Sequence, residues 1–229
     1  SYDIGRSADY PTIKTKLQGY NIKKIHYLMI SHYHPDHVSV AGLTSLINDF
    51  DLSECTVLLP PTVPDSYVGN QYTSGAEVRA IQSQIKTLLG DNNIPYKDSY
   101  YPQGRVYMHF GGVPFTLYNT DQTDLVAMNA DYNELSLVAL MQNGNISTLF
   151  SGDMMIRLET KLIDQIKQTI NICKFGHHGL NTQTNINPAF FHQINPDMFF
   201  SCSPRDTETY AANYANSGQI RYANYNGIK

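Results

Sequence analysis

KIHYLMISHYHPDHVSVAGL, residues 24–43, passes from an apolar run into a polar turn and out again into an apolar helical pattern. The run 24–30 has strand length, which predicts a buried strand. Val40, Leu43, Leu46, Ile47 and Phe50 recur at helical spacing behind Ser39, a good helix cap. Between the two, six positions hold His32, His34, Asp36 and His37. A chain with only 16% charged residues thus concentrates coordinating chemistry in one strand-to-helix turn. His-x-His sets two imidazoles on the same side of an extended segment, and Asp36 and His37 follow at a distance suited to a second metal ion.

Strand and helix signals alternate along the rest of the chain, which predicts an α/β layered domain. Pro11 suits the first turn of a short helix carrying Ile13 and Leu17, with Gly19 as its stop. Residues 55–60 read as a strand. Val78, Ile81, Ile85 and Leu88 mark an amphipathic helix ending at Gly90. RVYMHF and VPFTLYN flank Gly111-Gly112 as one hairpin, and residues 135–153 form another with Asn143-Gly144 as its turn. A helix over about 159–168, a strand at 170–175, a helix from Pro188, a strand at 198–202 and a helix over about 207–216 follow. QIRYANYNG closes the order as an edge strand.

The 229 residues are enough for one sizeable domain or two small ones, and 41% apolar content with 17 Tyr and 9 Phe supports a real core. A net charge of −4 leaves no footprint for tight nonspecific nucleic-acid binding, although bound cations would add local positive charge. Cys55, Cys173 and Cys202 form no CxxC pair and read as buried free thiols. No apolar run reaches the roughly 20 residues of a membrane span. The chain opens on SYDIG without a Met, so it reads as a piece of a longer chain.

Two later segments complete the chemistry. Gly152-Asp153 ends the second hairpin, where a carboxylate sits at a strand terminus. KFGHHG carries His177 and His178 between glycines that permit close backbone approach. All these segments lie at strand-to-loop edges, where sites of α/β sheets gather. His26, His109 and His192 each stand alone and read as structural histidines.

SHYHPDHVSVAGL, NELSLVALMQNGNISTLFSGD and CKFGHHGLNTQTNINPAFFHQINPD together resemble the metallo-β-lactamase fold superfamily. Within it, they look like the branch of ComEC-type DNA-uptake proteins and bacterial phosphorylcholine esterases. The resemblance implies a four-layer αββα sandwich over residues 1–229, one hydrolase domain lacking the N-terminal strand pair. It implies two divalent metal ions, Zn2+ or alternatively Mn2+ or Fe. His32 and His34 would hold the first, Asp36, His37 and His178 the second, and Asp153 would bridge them. His177 becomes a substrate-facing catalytic group, and Asp36 doubles as the group that orients the attacking water. Asn133 stands where other branches carry a third histidine, which marks it as a metal or substrate contact. Three features depart from the family: Ser39-Val40-Ala41-Gly42 replaces a Gly-Gly, Leu180 replaces a serine after His-His-Gly, and the first strands are missing.

The implied function is a phosphodiesterase in which a metal-bridging hydroxide attacks phosphorus. The substrate is either a nucleic acid or a cell-surface phosphocholine or teichoic-acid-like ester. Only six arginines, Arg6, Arg79, Arg105, Arg157, Arg205 and Arg221, are available to line a nucleic-acid groove. Tyr67, Tyr72, Tyr118 and Tyr132 are candidates for a choline cage. Another ester, thioester or lactone is the alternative within the enzyme class. The alternative from another class is a noncatalytic module of a larger surface or phage protein. The resemblance favours a bacterial or phage origin and a cell-surface or extracellular setting over the cytoplasm.

Overall fold

The computed structural model describes residues 2–70, 73–101, 104–179, 186–200, 222–224 and 227–228. Tyr72, Leu180, Cys202, Arg205, Arg221 and the helix expected over 207–216 lie outside the described residues. The chain is α/β, as expected, and divides into two compact units: Ser1–Tyr101 with Val126–Tyr132, and Pro102–Leu125 with Asn133–Lys229.

In the first unit β1 (Tyr27–Met29), β2 (Thr56–Leu58) and β3 (Tyr96–Lys97) form a parallel sheet in that order. Parallel neighbours need crossover connections. These are α2 (Val40–Asp49), between β1 and β2, and α3 (Gly75–Asp91), between β2 and β3. Ser39 caps α2 by accepting the Gly42 N–H at 3.1 Å. Ser74 and Glu77 form a capping box at the start of α3. The buried face of α3 holds Val78, Ile85 and Leu89 as well as Gln82, a polar residue that the hydrophobic spacing passes over. Gln82 accepts the Val63 N–H at 3.3 Å, which satisfies its carbonyl inside the core. The preceding α1 (Tyr10–Gly19) carries Pro11 in its first turn as predicted, and Asn21 turns the chain away at φ 56°. Among the described residues, beyond β1 the sheet gains only the Tyr2–Met29 bridge.

The second unit is one sheet of eight strands. They are β4 (Arg105–Phe110), β5 (Val113–Tyr118), β6 (Val138–Asn143), β7 (Ile146–Phe150), β8 (Ile172–Lys174), β9 (Met198–Phe200), β10 (Tyr222–Asn224) and β11 (Gly227–Ile228). Their spatial order follows the chain. β4 to β7 are antiparallel, β7 to β10 are parallel, and β11 returns antiparallel at the edge. Gly111 and Gly112 both have positive φ and form the two-residue turn expected between β4 and β5. The β6–β7 turn lies one residue later than predicted: Asn143 pairs with Ile146, so the loop is Gly144-Asn145.

Among the described residues, α5 (Ile156–Leu162) and α6 (Pro188–Ile194) belong to this unit, and α4 (Thr123–Ala127) begins in it. The helix expected over 159–168 is α5, displaced toward the N-terminus. The buried Glu134 carboxylate sets its start, accepting the N–H groups of Met155 (3.2 Å), Arg157 (2.9 Å) and Leu158 (2.9 Å). Its end is met by the Gln193 side-chain amide, which donates to the carbonyls of Ile163 and Ile166. Cys55 and Cys173 are buried and free, as expected.

Candidate metal centre

In the first unit the sheet ends at Ile30, whose N–H donates to Leu58 O at 2.9 Å. The chain then doubles back. His37 N–H donates to His34 O at 2.9 Å, closing a turn with Pro35 in its second position, where a fixed φ is favourable. The turn returns His37 to His32. Their ring centroids lie 4.2 Å apart, and those of His32 and His34 lie 4.7 Å apart. His32 and His37 are buried. His37 offers a ligand atom within 4.8 Å of one from His32, and likewise of one from Asp36.

Each imidazole is fixed through one ring nitrogen. Asp3 Oδ2 lies 2.8 Å from His37 Nδ1. Asp3 also accepts from Ser31 N–H (2.6 Å) and Ser31 Oγ (2.8 Å), and the Ser31 hydroxyl lies 3.0 Å from His32 Nδ1. Thr73 Oγ1 lies 2.9 Å from His34 Nε2. Tyr132 braces the same residues. Its hydroxyl accepts the Tyr33 N–H at 3.1 Å, and its ring stands edge-on to His34 at 5.1 Å. A carboxylate or hydroxyl on the far ring nitrogen is the arrangement that orients a metal-ligating histidine.

The donor set fits a divalent ion. His32 Nε2 and His34 Nδ1 lie 3.0 Å apart. Two imidazole nitrogens on one tetrahedral zinc, each about 2.0–2.1 Å from it, stand roughly 3.3 Å apart.

In the second unit Asp153 and the His177-His178 loop follow adjacent parallel strands, β7 and β8, at their C-terminal ends. Asp153 is buried, and its N–H donates to Ser136 Oγ at 3.0 Å. Its Oδ2 lies 3.4 Å from His178 Nε2 and its Oδ1 lies 3.6 Å from Lys174 Nζ. Lys174, itself buried, donates to Gly152 O at 2.7 Å and to Phe175 O at 3.0 Å. His178 thus faces Asp153. The ring of His177 is 6.4 Å from that of His178. Both have left-handed backbone, φ 47° and 56°, and Gly179 follows at φ 79°. For non-glycine residues this costs roughly 1–2 kcal/mol each, and such strain collects at functional sites. Asn133 is buried in a 3-10 turn, Tyr132–Leu135, and its carbonyl accepts the Ser136 N–H at 3.2 Å.

The choline-cage candidates are corrected by the fold. Tyr67, Tyr118 and Tyr132 are buried core residues, and the Tyr67 hydroxyl donates to Ala130 O at 2.9 Å. Spacing alone gives no sign of Asp3, Ser31, Thr73, Ser136 or Lys174 as supports of the candidate ligands. Adjacency to a motif marks two of them in retrospect: Ser31 before His-x-His, and Lys174 three residues before His177.

Residues 2–69 match the Metallo-beta-lactamase superfamily, a span that includes Asp3 and the whole of 32–37. Among solved structures, the chain is similar to CmlA, a diiron beta-hydroxylase from Streptomyces venezuelae. The identity is 14% and the TM-score 0.50, over 78% of this chain and 35% of CmlA. It is also similar to a proposed metal-dependent hydrolase from Parabacteroides distasonis ATCC 8503. There the identity is 11% and the TM-score 0.52, over 96% of this chain and 82% of the other. The chain thus spans about a third of the length of CmlA. No curated protein sequence matches it. At such identities the likeness carries the fold alone, a mixed α/β fold consistent with a metallo-β-lactamase sandwich. The superfamily match and the His and Asp donors support a metal-dependent enzyme. Among the described residues, no helix is long and apolar enough to cross a membrane.

Proposed function

We propose that this chain is a metal-dependent hydrolase of phosphodiesters, related to the ComEC-type and phosphorylcholine esterase branch. The observation that carries the proposal is the turn of residues 31–37. There three imidazoles face one another, each steadied through one ring nitrogen by Asp3, Ser31 or Thr73. Such support is costly to assemble in a loop with only a structural role, and it is what a metal-ligating histidine requires.

His32, His34, Asp36 and His37 are the proposed ligands in the first unit, and Asp153 and His178 are those in the second. Bound divalent ions would supply Lewis acidity and a water activated at neutral pH. Asp36 is proposed to orient the attacking water, and His177 to face the leaving group as its proton donor. Lys174 holds the Gly152 and Phe175 carbonyls, so the turn carrying Asp153 and the loop carrying the histidines keep their spacing. The burial of Tyr67, Tyr118 and Tyr132 favours a phosphodiester recognised at its phosphate over one recognised through a choline cage. Iron is the leading alternative metal, because CmlA is a diiron protein with a similar fold.

The test is a substrate panel with metal-loaded protein: bis-p-nitrophenyl phosphate, p-nitrophenyl phosphorylcholine, single-stranded DNA, a thioester and a β-lactam. Turnover of the phosphodiesters supports the proposal. Turnover confined to the β-lactam or the thioester overturns the substrate class, and no turnover of any kind points to a noncatalytic module.

A further inference from the structure

Thr73 belongs to none of the motifs, yet its hydroxyl is the group that meets His34 Nε2, at 2.9 Å. The opposite nitrogen, Nδ1, faces His32 Nε2 at 3.0 Å. A neutral imidazole carries one N–H. With Nε2–H donating to Thr73 Oγ1, Nδ1 keeps its lone pair on the side shared with His32, which is the tautomer a metal ligand needs there.

The hydroxyl stands on a braced loop. Thr73 N–H donates to Asn70 Oδ1 at 2.9 Å, and Asn70 N–H donates back to Thr73 O at 3.0 Å. Asn70 Nδ2 donates to Asp131 Oδ2 at 2.6 Å. Gly69 exchanges two hydrogen bonds with the Asn129 side chain, at 3.0 and 2.8 Å. On the other side Ser74 caps the 17-residue helix α3, and Gly75 N–H donates to Val68 O at 2.7 Å. A Cβ at Gly75 would lie 1.9 Å from Tyr67 O, so the loop can pack this closely only with glycine there. Thr73 is therefore tied to the 129–131 segment on one side and to a helix N-terminus on the other. A hydroxyl that only had to be solvated would need neither.

We propose that Thr73 is a positioning residue for a metal ion held by His32 and His34, selecting the His34 tautomer and aiming its Nδ1. This rests on the metal-dependent reading above and concerns that ion alone.

The experiment uses the full chain and three proteins: wild type, Thr73→Val, which keeps the shape and loses the hydroxyl, and Thr73→Ser, which keeps the hydroxyl. Metal content is measured after loading, affinity by competition with a chromophoric chelator, and ligand geometry from the visible spectrum of the Co2+-substituted protein. Thr73→Val is expected to lose about 10–100-fold in affinity for one ion, with an altered Co2+ spectrum. Thr73→Ser is expected to restore both. Wild-type affinity and spectrum in Thr73→Val overturn the inference, even if its thermal stability falls, since that outcome leaves the residue a loop brace only. Wild-type protein that binds no metal instead overturns the metal-dependent reading itself. Should Thr73→Val fail to fold by circular dichroism, Thr73→Ala is measured in the same way against the same outcomes.

Discussion

Lys174→Met removes one buried charge while keeping most of the aliphatic stem. The ammonium now donates to Gly152 O and Phe175 O and lies 3.6 Å from Asp153 Oδ1. A hydrogen bond involving a charged group contributes about 1.5–3 kcal/mol, so the two carbonyl contacts together contribute about 3–6 kcal/mol. The 3.6 Å pair is too long to count as a third such bond, but Asp153 would lose a neighbouring cation. Removing one partner of a buried ion pair costs about 3–5 kcal/mol by a separate route. The two routes share the same lost ammonium and are not additive, so the expected destabilisation is about 3–5 kcal/mol. At about 2–4 °C per kcal/mol for a chain of this size, the melting temperature should fall by about 6–20 °C. Because the chain has two compact units, the loss should also be read locally, by hydrogen exchange over 151–154 and 175–179 in metal-free protein. A shift of less than about 1 kcal/mol, with unchanged exchange in those two stretches, would refute the idea that Lys174 holds them together.

Three further outcomes are expected. Asp3→Ala removes the carboxylate that holds Ser31 and His37, and should weaken binding of an ion at His37 by about 10–100-fold in chelator competition. Glu134→Leu strips the acceptor from three N–H groups at the start of α5 and should cost about 3 kcal/mol or more, measured as a lower urea midpoint. Glu159 gives a pH signature. Burial first, and then the nearby Glu134, hold its carboxyl well above the usual range, against the opposing hydrogen bond from Asn187 N–H. The folded state therefore keeps a proton that the unfolded state releases. Its stabilising contribution is complete below the ordinary carboxylate pKa of about 4.3 and is lost as pH rises towards the folded value, at up to about 1.4 kcal/mol per pH unit. Urea midpoints from pH 5 to 8 should fall more steeply for wild type than for Glu159→Gln, and parallel curves would contradict this.

The strand–turn–helix of residues 24–43 is legible because its determinants are local. An apolar run, a Pro35 turn and a Ser39 cap each act within a few residues. Hairpins are legible for the same reason, although one residue of ambiguity in Asn-Gly-Asn moves the β6–β7 loop to Gly144-Asn145. Where a distant group decides, local spacing misleads. α5 starts at Ile156 because Glu134, more than twenty residues earlier, accepts its first N–H groups. Gln82 is buried on α3 because Val63 and Tyr33 supply its partners. The candidate ligands announce themselves through clustering, but their supports do not. Asp3 reaches Ser31 across 28 positions, Thr73 reaches His34 across 39, and Tyr132 reaches Tyr33 across 99. An isolated Thr or Tyr carries no mark of such a contact in the sequence. Tyr67, Tyr118 and Tyr132, considered for a choline cage, are misread for the opposite reason. Near a motif they look available, while their rings fill the core.

The central claim is that the histidine turn holds metal and that the metal is needed for catalysis. Metal content and bis-p-nitrophenyl phosphate turnover, measured on the same preparations of wild type and His34→Ala, test it most directly. The account predicts about two divalent ions per wild-type chain, fewer in the variant, and turnover that disappears with the lost ion. Wild-type protein that stays metal-free after loading with Zn2+, Mn2+ or Fe2+, or turnover that survives His34→Ala unchanged, would contradict it.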